Sequence, residues 1–169
     1  TDVVQCLLTF PEVDPACNDN WIISLASIHG HTDVVKILLA DRRVDPSACD
    51  NWAIRYASCY GHPDVVRCLM TDPRVDQSAV DYWAIKIASS SGHTEVVRVL
   101  ATSGKIPDAV INQSINLAHA NGHDKIAQIL RDVLSTTTPL LPPLPPTERI
   151  KSLILHSFHV RNNARLGML

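Results

Sequence analysis

The chain has 169 residues and a formal net charge of −2 at pH 7, and its length suits a single domain. The residues up to Ser135 carry 11 Lys and Arg against 16 Asp and Glu, and the remainder carry 4 against 1. Because nucleic-acid binding needs a concentrated basic face, we expect no nucleic-acid partner. We also expect no membrane partner, since no stretch is apolar enough to span a bilayer and no secretory signal peptide is predicted.

A helix without a partner helix is predicted at the start of the chain. Thr1-Asp2-Val3-Val4 aligns with Thr32-Asp33-Val34-Val35, where the second helix of a helix pair begins. We therefore expect the chain to start inside a half repeat, residues 1–18, and to be a fragment of a longer array. Because a terminal repeat needs a polar cap, this half repeat should expose apolar surface.

A unit of 31 residues recurs after the half repeat. Each copy has a Trp followed by a Gly-His pair, and the copies are marked by Trp21, Trp52 and Trp83 and by Gly30-His31, Gly61-His62 and Gly92-His93. A period of this size is typical of proteins whose repeats stack into a solenoid. We predict full repeats at residues 19–49, 50–80 and 81–110.

The middle copy indicates the structure of one unit. Trp52–Tyr60 lacks Gly and Pro and is predicted to be a helix, with Asp50 or Asn51 capping its first turn. Gly61 should end this helix in a left-handed conformation. Pro63 suits the first turn of a second helix. The apolar stripe of that second helix consists of Val65, Val66, Leu69 and Met70.

The last copy and the tail differ from the earlier units. In residues 111–135 Gln113 replaces the Trp and Ile126-Ala127 replaces the Val-Val pair, which predicts a C-terminal capping repeat. Residues 136–146 contain five Pro and are predicted to be an extended linker. Residues 147–169 are predicted to form a short amphipathic helix followed by a frayed tail.

These features resemble the ankyrin repeat. The Gly-His turn and the Val-Val-x-x-Leu second helix match that family, and so do the small first-helix residues Ala26, Ala57, Ala88 and Ala118. The family's Thr-Pro-Leu-His is replaced by Trp-Ile-Ile-Ser, Trp-Ala-Ile-Arg and Trp-Ala-Ile-Lys. The resemblance covers Thr1 to about Leu134. It implies an all-α, ankyrin-type helix-turn-helix solenoid with short finger loops, acting as a non-catalytic module that binds a protein partner on its concave face.

The cysteines and histidines do not form a recognisable chemical site. The five Cys include no Cys-x-x-Cys pair, so we expect no disulfide framework and a reducing compartment, the cytoplasm or the nucleus. Cys6 and Cys68 are predicted to fill the core. The His of each Gly-His turn recurs with the repeats, which favours a structural role over a metal site. Without a phosphate-binding loop or a nucleophile motif, we expect no enzyme activity and no cofactor.

Two further patterns recur with the repeats. One Trp at the start of each first helix predicts packing between neighbouring repeats. Arg43, Arg74 and Lys105, beside Asp45 and Asp76, predict a solvated row of finger charges, each pair contributing about 0–1 kcal/mol.

Candidate partner-binding residues follow from the ankyrin resemblance. It assigns contacts to the two residues before each Gly, to the residue before the first helix and to an exposed position within that helix. In this sequence the candidates are Asn20, Ile28, His29, Asn51, Arg55, Cys59, Tyr60, Tyr82, Lys86, Ser90, Ser91 and Asn121. By residue type, Arg55, Tyr60 and Tyr82 are the favoured hot spots.

Other roles remain open beside this one. Pro142-Pro143-Leu144-Pro145 is similar to ligands of some WW domains. Ser152-Leu153 through Arg165 loosely resembles the helix of a SOCS box, which would make the chain a substrate adaptor of a ubiquitin ligase. A third alternative is an architectural fragment of a longer array that has no partner groove of its own.

Overall fold

The computed structural model describes residues 2–103 and 106–137. Within these residues the chain forms nine helices and no strand. The helices are α1 (Asp2–Leu8), α2 (Cys17–Ile28), α3 (Thr32–Ala40), α4 (Ala48–Cys59), α5 (Pro63–Leu69), α6 (Ala79–Ser90), α7 (Thr94–Ala101), α8 (Asp108–Ala120) and α9 (Asp124–Thr137). None of the helices in the described part of the chain is both long and apolar enough to cross a membrane.

The helices stack in two layers. Helices α2, α4, α6 and α8 pack on one another in chain order and form the first-helix layer. Helices α1, α3, α5, α7 and α9 form the second-helix layer in the same way, and each helix from α2 to α9 also packs on the other helix of its pair. This arrangement is the predicted helix-turn-helix solenoid, in which each repeat is stabilised by its neighbours.

The core lies between the two layers. The Val-Val-x-x-Leu stripe of α5 is fully buried at Val65, Val66 and Leu69, and its equivalents Val96, Val97 and Leu100 on α7 are buried as well. From the first-helix layer, Ile54 and Ile85 point into the same core. Burying one such aliphatic side chain contributes about 1.5–3 kcal/mol, so repetition of the stripe accounts for much of the stability of the stack.

The half repeat at the start exposes its apolar stripe, as predicted. Leu7 is 48% exposed, whereas Leu38, one period later, is 1% exposed. Val3 and Phe10 are also exposed. Helix α1 packs against α3, and its apolar side chains lack the cover that a first helix gives to every later repeat.

Each first helix ends at a glycine, as predicted. Gly30, Gly61, Gly92 and Gly122 all have φ between +70° and +82°. After Gly61, the N–H of His62 donates to the carbonyl oxygen of Ala57 at 2.9 Å, which closes the helix end. Helix α5 then begins at Pro63, where the missing N–H costs no hydrogen bond.

The predicted cap of a first helix by Asp50 or Asn51 is wrong, since no side chain caps that helix. Instead of capping, Cys49, Asp50 and Asn51 adopt left-handed backbone conformations, with φ between +53° and +59°. The equivalent residues in the two neighbouring repeats do the same, at Asn18, Asp19 and Asn20 and at Val80, Asp81 and Tyr82. Left-handed conformations cost an ordinary residue roughly 1–2 kcal/mol each, and Asn and Asp tolerate them best. Three in succession make one left-handed turn before the right-handed helix starts.

The C-terminal boundary of the array also differs from the prediction. Helix α9 continues to Thr137, so Thr136 and Thr137 are helical and are not part of a linker. The predictions for the rest of the Pro-rich linker, for the WW-like string Pro142–Pro145 and for the helix in residues 147–169 fall outside the described residues. Lys105 lies outside them too.

Candidate functional site

The candidate site is the surface of the first-helix layer, here called the first-helix face. One helical position points outward on every first helix, and it is occupied by an apolar residue in each. We call these four residues the inner row: Leu25, Tyr56, Ile87 and Leu117. Leu25 is 41% exposed, Leu117 is also exposed, and the other two are half-buried.

Sequence analysis missed the inner row. It named the position one residue earlier, at Arg55 and Lys86, and these two side chains are half-buried to the same degree as Tyr56 and Ile87. Ile54 and Ala57 are buried three residues apart, and Arg55 and Tyr56 both lie between them. Both positions therefore belong to the first-helix face.

An aromatic row runs beside the inner row and crosses three repeats. It consists of Trp21, Trp52, Tyr56, Tyr60 and Trp83. The ring centroids of Trp21 and Trp52 are 5.3 Å apart, those of Trp52 and Tyr56 are 5.2 Å apart, and Tyr56 contacts Trp83 at 6.2 Å. These distances suit tilted and edge-on aromatic packing. The predicted packing between repeats is therefore confirmed, although Trp21 and Tyr60 also remain exposed to solvent.

The two basic candidates of the first-helix face bind within the chain. The guanidinium carbon of Arg55 lies 5.0 Å from the ring centroid of Trp83, a cation–π contact with the next repeat. The Nζ of Lys86 donates to Oδ2 of Asp81 at 2.5 Å. In the first full repeat the same position is Ser24, which is buried and carries no charge.

Asn20 and Asn51 belong to the scaffold. Asn51 is only 7% exposed, and its Oδ1 accepts the backbone N–H of Asp76 in the next loop at 2.7 Å. Asn20 accepts the N–H of Asp45 in the same way, also at 2.7 Å. Their side chains therefore hold the loop that leads into the following repeat, and we do not include them in the proposed contact surface. Tyr82, at the same position one repeat later, is half-buried against the core.

The remaining candidates cluster at the ends of the first helices. Tyr60 is 55% exposed, and its ring stacks on Tyr56 with centroids 6.3 Å apart. The side chains of His29, Ser91 and Asn121 are exposed, whereas those of Ile28, Cys59 and Ser90 are half-buried. These residues precede the turn glycines, so the structure places them on the same layer as the inner row.

The histidines of the Gly-His turns join neighbouring repeats. Nε2 of His62 lies 2.8 Å from the carbonyl oxygen of Ile28, and Nε2 of His93 lies 2.8 Å from that of Cys59. Because a carbonyl can only accept, Nε2 carries the proton in both rings. Each ring also covers the glycine of the preceding turn, Gly30 or Gly61. Their predicted structural role is confirmed. Among the described residues no three His, Cys, Asp or Glu side chains are grouped to hold a metal ion.

The cysteines are free thiols, and one core prediction fails. Cys6 is exposed on α1, which packs against α3. Cys68 is half-buried against the core, and burial raises the pKa of its thiol. A raised pKa lowers the thiolate fraction, so Cys68 has little nucleophilic character.

The finger charges connect repeats in a way that the sequence did not predict. Arg43 and Arg74 pair with Asp41 and Asp72, two residues earlier, rather than with the aspartates after them. Arg74 also donates through Nη1 to the carbonyl oxygen of Val44 in the preceding loop, at 2.7 Å. The side-chain hydrogen bonds from Arg43 and Arg74 lower the pKa of Asp41 and Asp72. The pair of Arg74 and Asp72 is thus a surface ion pair whose arginine also connects neighbouring repeats.

The loop aspartates after these arginines stabilise their own turns. Oδ1 of Asp76 accepts the backbone N–H of Ser78 at 2.8 Å and its hydroxyl at 2.7 Å. These bonds, the side-chain one above all, lower the pKa of Asp76. Asp45 and Ser47 repeat the arrangement one loop earlier.

Comparison with known families identifies the repeat. Residues 1–81 match the family model described as ankyrin repeats (3 copies). The helix pairs continue beyond the matched part, through α9. No curated protein sequence matches the chain. Residues 1–81 thus carry ankyrin repeats, and the Gly-His turns and stacked helix pairs that continue after them support an ankyrin-type repeat array.

Proposed function

We propose that the chain is a non-catalytic scaffold that binds a protein partner on its first-helix face. Ankyrin repeats generally act as protein-interaction modules and typically have no catalytic activity. The observation that carries the proposal is the inner row, where four consecutive first helices each present an apolar side chain at the same position. Exposed apolar side chains that form a continuous patch are typical of interaction sites.

The composition of the face supports this function. Tyr, Trp and Arg dominate the binding energy of many protein interfaces, and the face offers Trp21, Arg55 and Tyr60 within two neighbouring repeats. The second-helix layer is different in character. Its solvent side carries exposed ion pairs such as Lys36–Asp33 and Arg98–Glu95. Such pairs keep a surface hydrated and contribute little to binding.

The scaffold also suits recognition because its repeats pack on one another and hold each other in place. The residues that hold the stack are buried Val, Leu, Ile and Ala, while the inner row and the helix ends differ from repeat to repeat. A surface that is ordered before binding loses less conformational entropy when the partner docks. Surface residues that differ between repeats, carried on a common packed core, therefore provide a specific surface at a low entropic cost.

Affinity purification from cell lysate with the full chain as bait tests this proposal. The face variant combines Leu25→Ser, Tyr60→Ala and Leu117→Ser, all at exposed positions. The control variant combines Lys36→Ala, Arg67→Ala and Arg98→Ala on the second-helix layer, where all three side chains are exposed. Circular dichroism establishes that both variants retain their helices.

We expect a partner that the wild type and the control retain and that the face variant recovers at least tenfold less. A tenfold loss corresponds to about 1.4 kcal/mol, which one or two hot-spot side chains supply. Equal recovery by all three baits would place binding on another surface and reject the first-helix face.

A further inference from the structure

We propose that the partner segment is cationic and that the pair Trp21 and Trp52 receives one of its Arg side chains between Asp19 and Asp50. This inference rests on the proposed function and specifies the chemistry of the partner. It follows from a difference between repeats that are otherwise alike.

The third repeat shows the interaction inside the chain itself. There the guanidinium of Arg55 covers Trp83 at 5.0 Å from the ring centroid, and Lys86 neutralises Asp81. The Trp and the Asp of this repeat thus both have a cation of the chain. An indole ring attracts a cation through the negative charge on its face, and Trp is the strongest of the aromatic residues in this respect.

Asp19 has no cation at the position of Lys86, which is Ser24 in that repeat, and Arg55, which holds this position in the second repeat, lies on Trp83 instead. At the position of Arg55 the preceding repeat has Ser24, so no guanidinium reaches Trp52 from there. Asp19 and Asp50, each two residues before a Trp, are exposed and make no ion pair or hydrogen bond among the described residues. The indoles of Trp21 and Trp52 lie next to each other, with centroids 5.3 Å apart.

Charge complementarity therefore selects the occupant. Asp19 and Asp50 are exposed, and each stands two residues before one of these Trp, so an acidic partner segment would meet repulsion from both carboxylates. A guanidinium can stack on an indole and hydrogen bond to a carboxylate at once, which an ammonium does less well. An Arg-bearing segment completes in these repeats what Arg55 and Lys86 already provide in the third.

Titration with a hexa-arginine peptide, observed by NMR, tests the inference directly. All three Trp of the chain lie in the aromatic row, so the indole N–H signals of ¹⁵N-labelled Trp report on the site. We expect saturable shifts of the Trp21 and Trp52 signals and a much smaller shift of Trp83, which Arg55 already covers. Hexa-lysine should bind more weakly, and hexa-glutamate should leave all three signals unchanged.

A matched pair of double variants separates the site from general electrostatics. Asp19→Asn with Asp50→Asn should weaken hexa-arginine binding at least fivefold. Asp33→Asn with Asp64→Asn makes the same change in net charge at exposed positions of the second-helix layer and should leave the affinity unchanged. Circular dichroism of both variants checks that the helices are intact.

The result can overturn this inference without affecting the proposed function. The cationic assignment fails if millimolar hexa-arginine shifts no indole signal, if Trp83 responds as strongly as Trp52, or if both double variants lose affinity equally. If in that case the lysate partner is still lost with the face variant, the first-helix face remains the binding surface and only the chemistry of its partner is wrong.

Discussion

Polar connections differ between the junctions of this array. At the junction between α4/α5 and α6/α7, His93 bonds to the carbonyl oxygen of Cys59, Asn51 bonds to the N–H of Asp76, and Arg74 bonds back to the preceding loop at Val44. The junction before it has the equivalent histidine and asparagine bonds. These two junctions are therefore joined at the turn and at the finger loop.

The last junction, between α6/α7 and α8/α9, keeps fewer of these connections. Both partners of the asparagine bond are replaced there, since Tyr82 stands for Asn and Pro107, which has no N–H, stands for Asp. Gln77 and Ser103 instead hydrogen bond to each other between the loops. Helix α8 still packs on α6 as closely as α6 packs on α4. The helices of this junction thus stack without the asparagine bond, and a different pair of side chains links its loops.

The largest effect should come from removing the close contact at a turn. Gly61→Ala should lower the free energy of unfolding by about 2–4 kcal/mol, combining left-handed strain with overpacking. A Cβ at Gly61 would lie 2.5 Å from Nδ1 of His93, whose ring is held in place by its bond to Cys59. Urea unfolding followed by circular dichroism measures the change.

Gly122 provides the matched control for this substitution. Its φ is also +76°, but a Cβ there would meet no atom of the described residues within 4 Å. Gly122→Ala should therefore cost only the backbone strain, about 1–2 kcal/mol. Equal losses for the two variants would show that the histidine contact contributes nothing and that the junctions do not differ at the turn.

A smaller effect is expected at the finger loops. Asn51→Ala removes the acceptor for the N–H of Asp76 and places Ala in a left-handed conformation, at a combined cost of about 2 kcal/mol. The exposed neighbour Asp50 shares that conformation, with φ +56°, so Asp50→Ala should lose only the conformational part, about 1 kcal/mol.

The last junction supplies a second comparison for the same bond. Tyr82→Asn recreates the asparagine in the third repeat but should give no stabilisation, because Pro107 cannot donate. Both comparisons use thermal and urea unfolding. A gain of stability in Tyr82→Asn would mean that the asparagine acts within its own turn and not across the junction.

The sequence predicted the repeats well and the surface only in part. The 31-residue period, the turn glycines and the buried Val-Val pairs come from local chemistry that is repeated, and the helix pairs follow from them. The role of Asn51 depends on an N–H that is 25 residues away and belongs to the next loop. The left-handed residues in this part of each repeat could not be predicted either, because Cys49 and its equivalent Val80 do not favour that conformation.

The candidate site shows the same limit. Arg55 and Tyr56 are both half-buried, and how much of each side chain is covered depends on the packing of α2 and α6 against α4, which is a property of the stack. Tyr60, one of the predicted contact residues at the end of a first helix, is 55% exposed, whereas its neighbour Cys59 is half-buried. The aromatic contacts of Trp52 followed from the repeat, whereas the unpaired state of Asp50 did not.

The smallest effect should come from the carboxylate of Asp72, which pairs with Arg74, the residue that bonds to the preceding loop. The hydrogen bond from Arg74 lowers the pKa of Asp72 in the folded chain below its ordinary value, about 3.9. A lowered folded-state pKa means that the contribution is fully present above pH 4 and is lost as the pH falls through the folded-state value. Asp72→Asn should therefore be less stable than wild type at pH 7, by up to about 1 kcal/mol, and the difference should shrink below pH 4. Urea unfolding across this pH range measures the difference. The control is Asp64→Asn, because Asp64 is exposed and lies 4.0 Å from Arg67, and this variant should match wild type throughout. A difference that stays constant with pH would assign the effect of Asp72 to packing rather than to its charge.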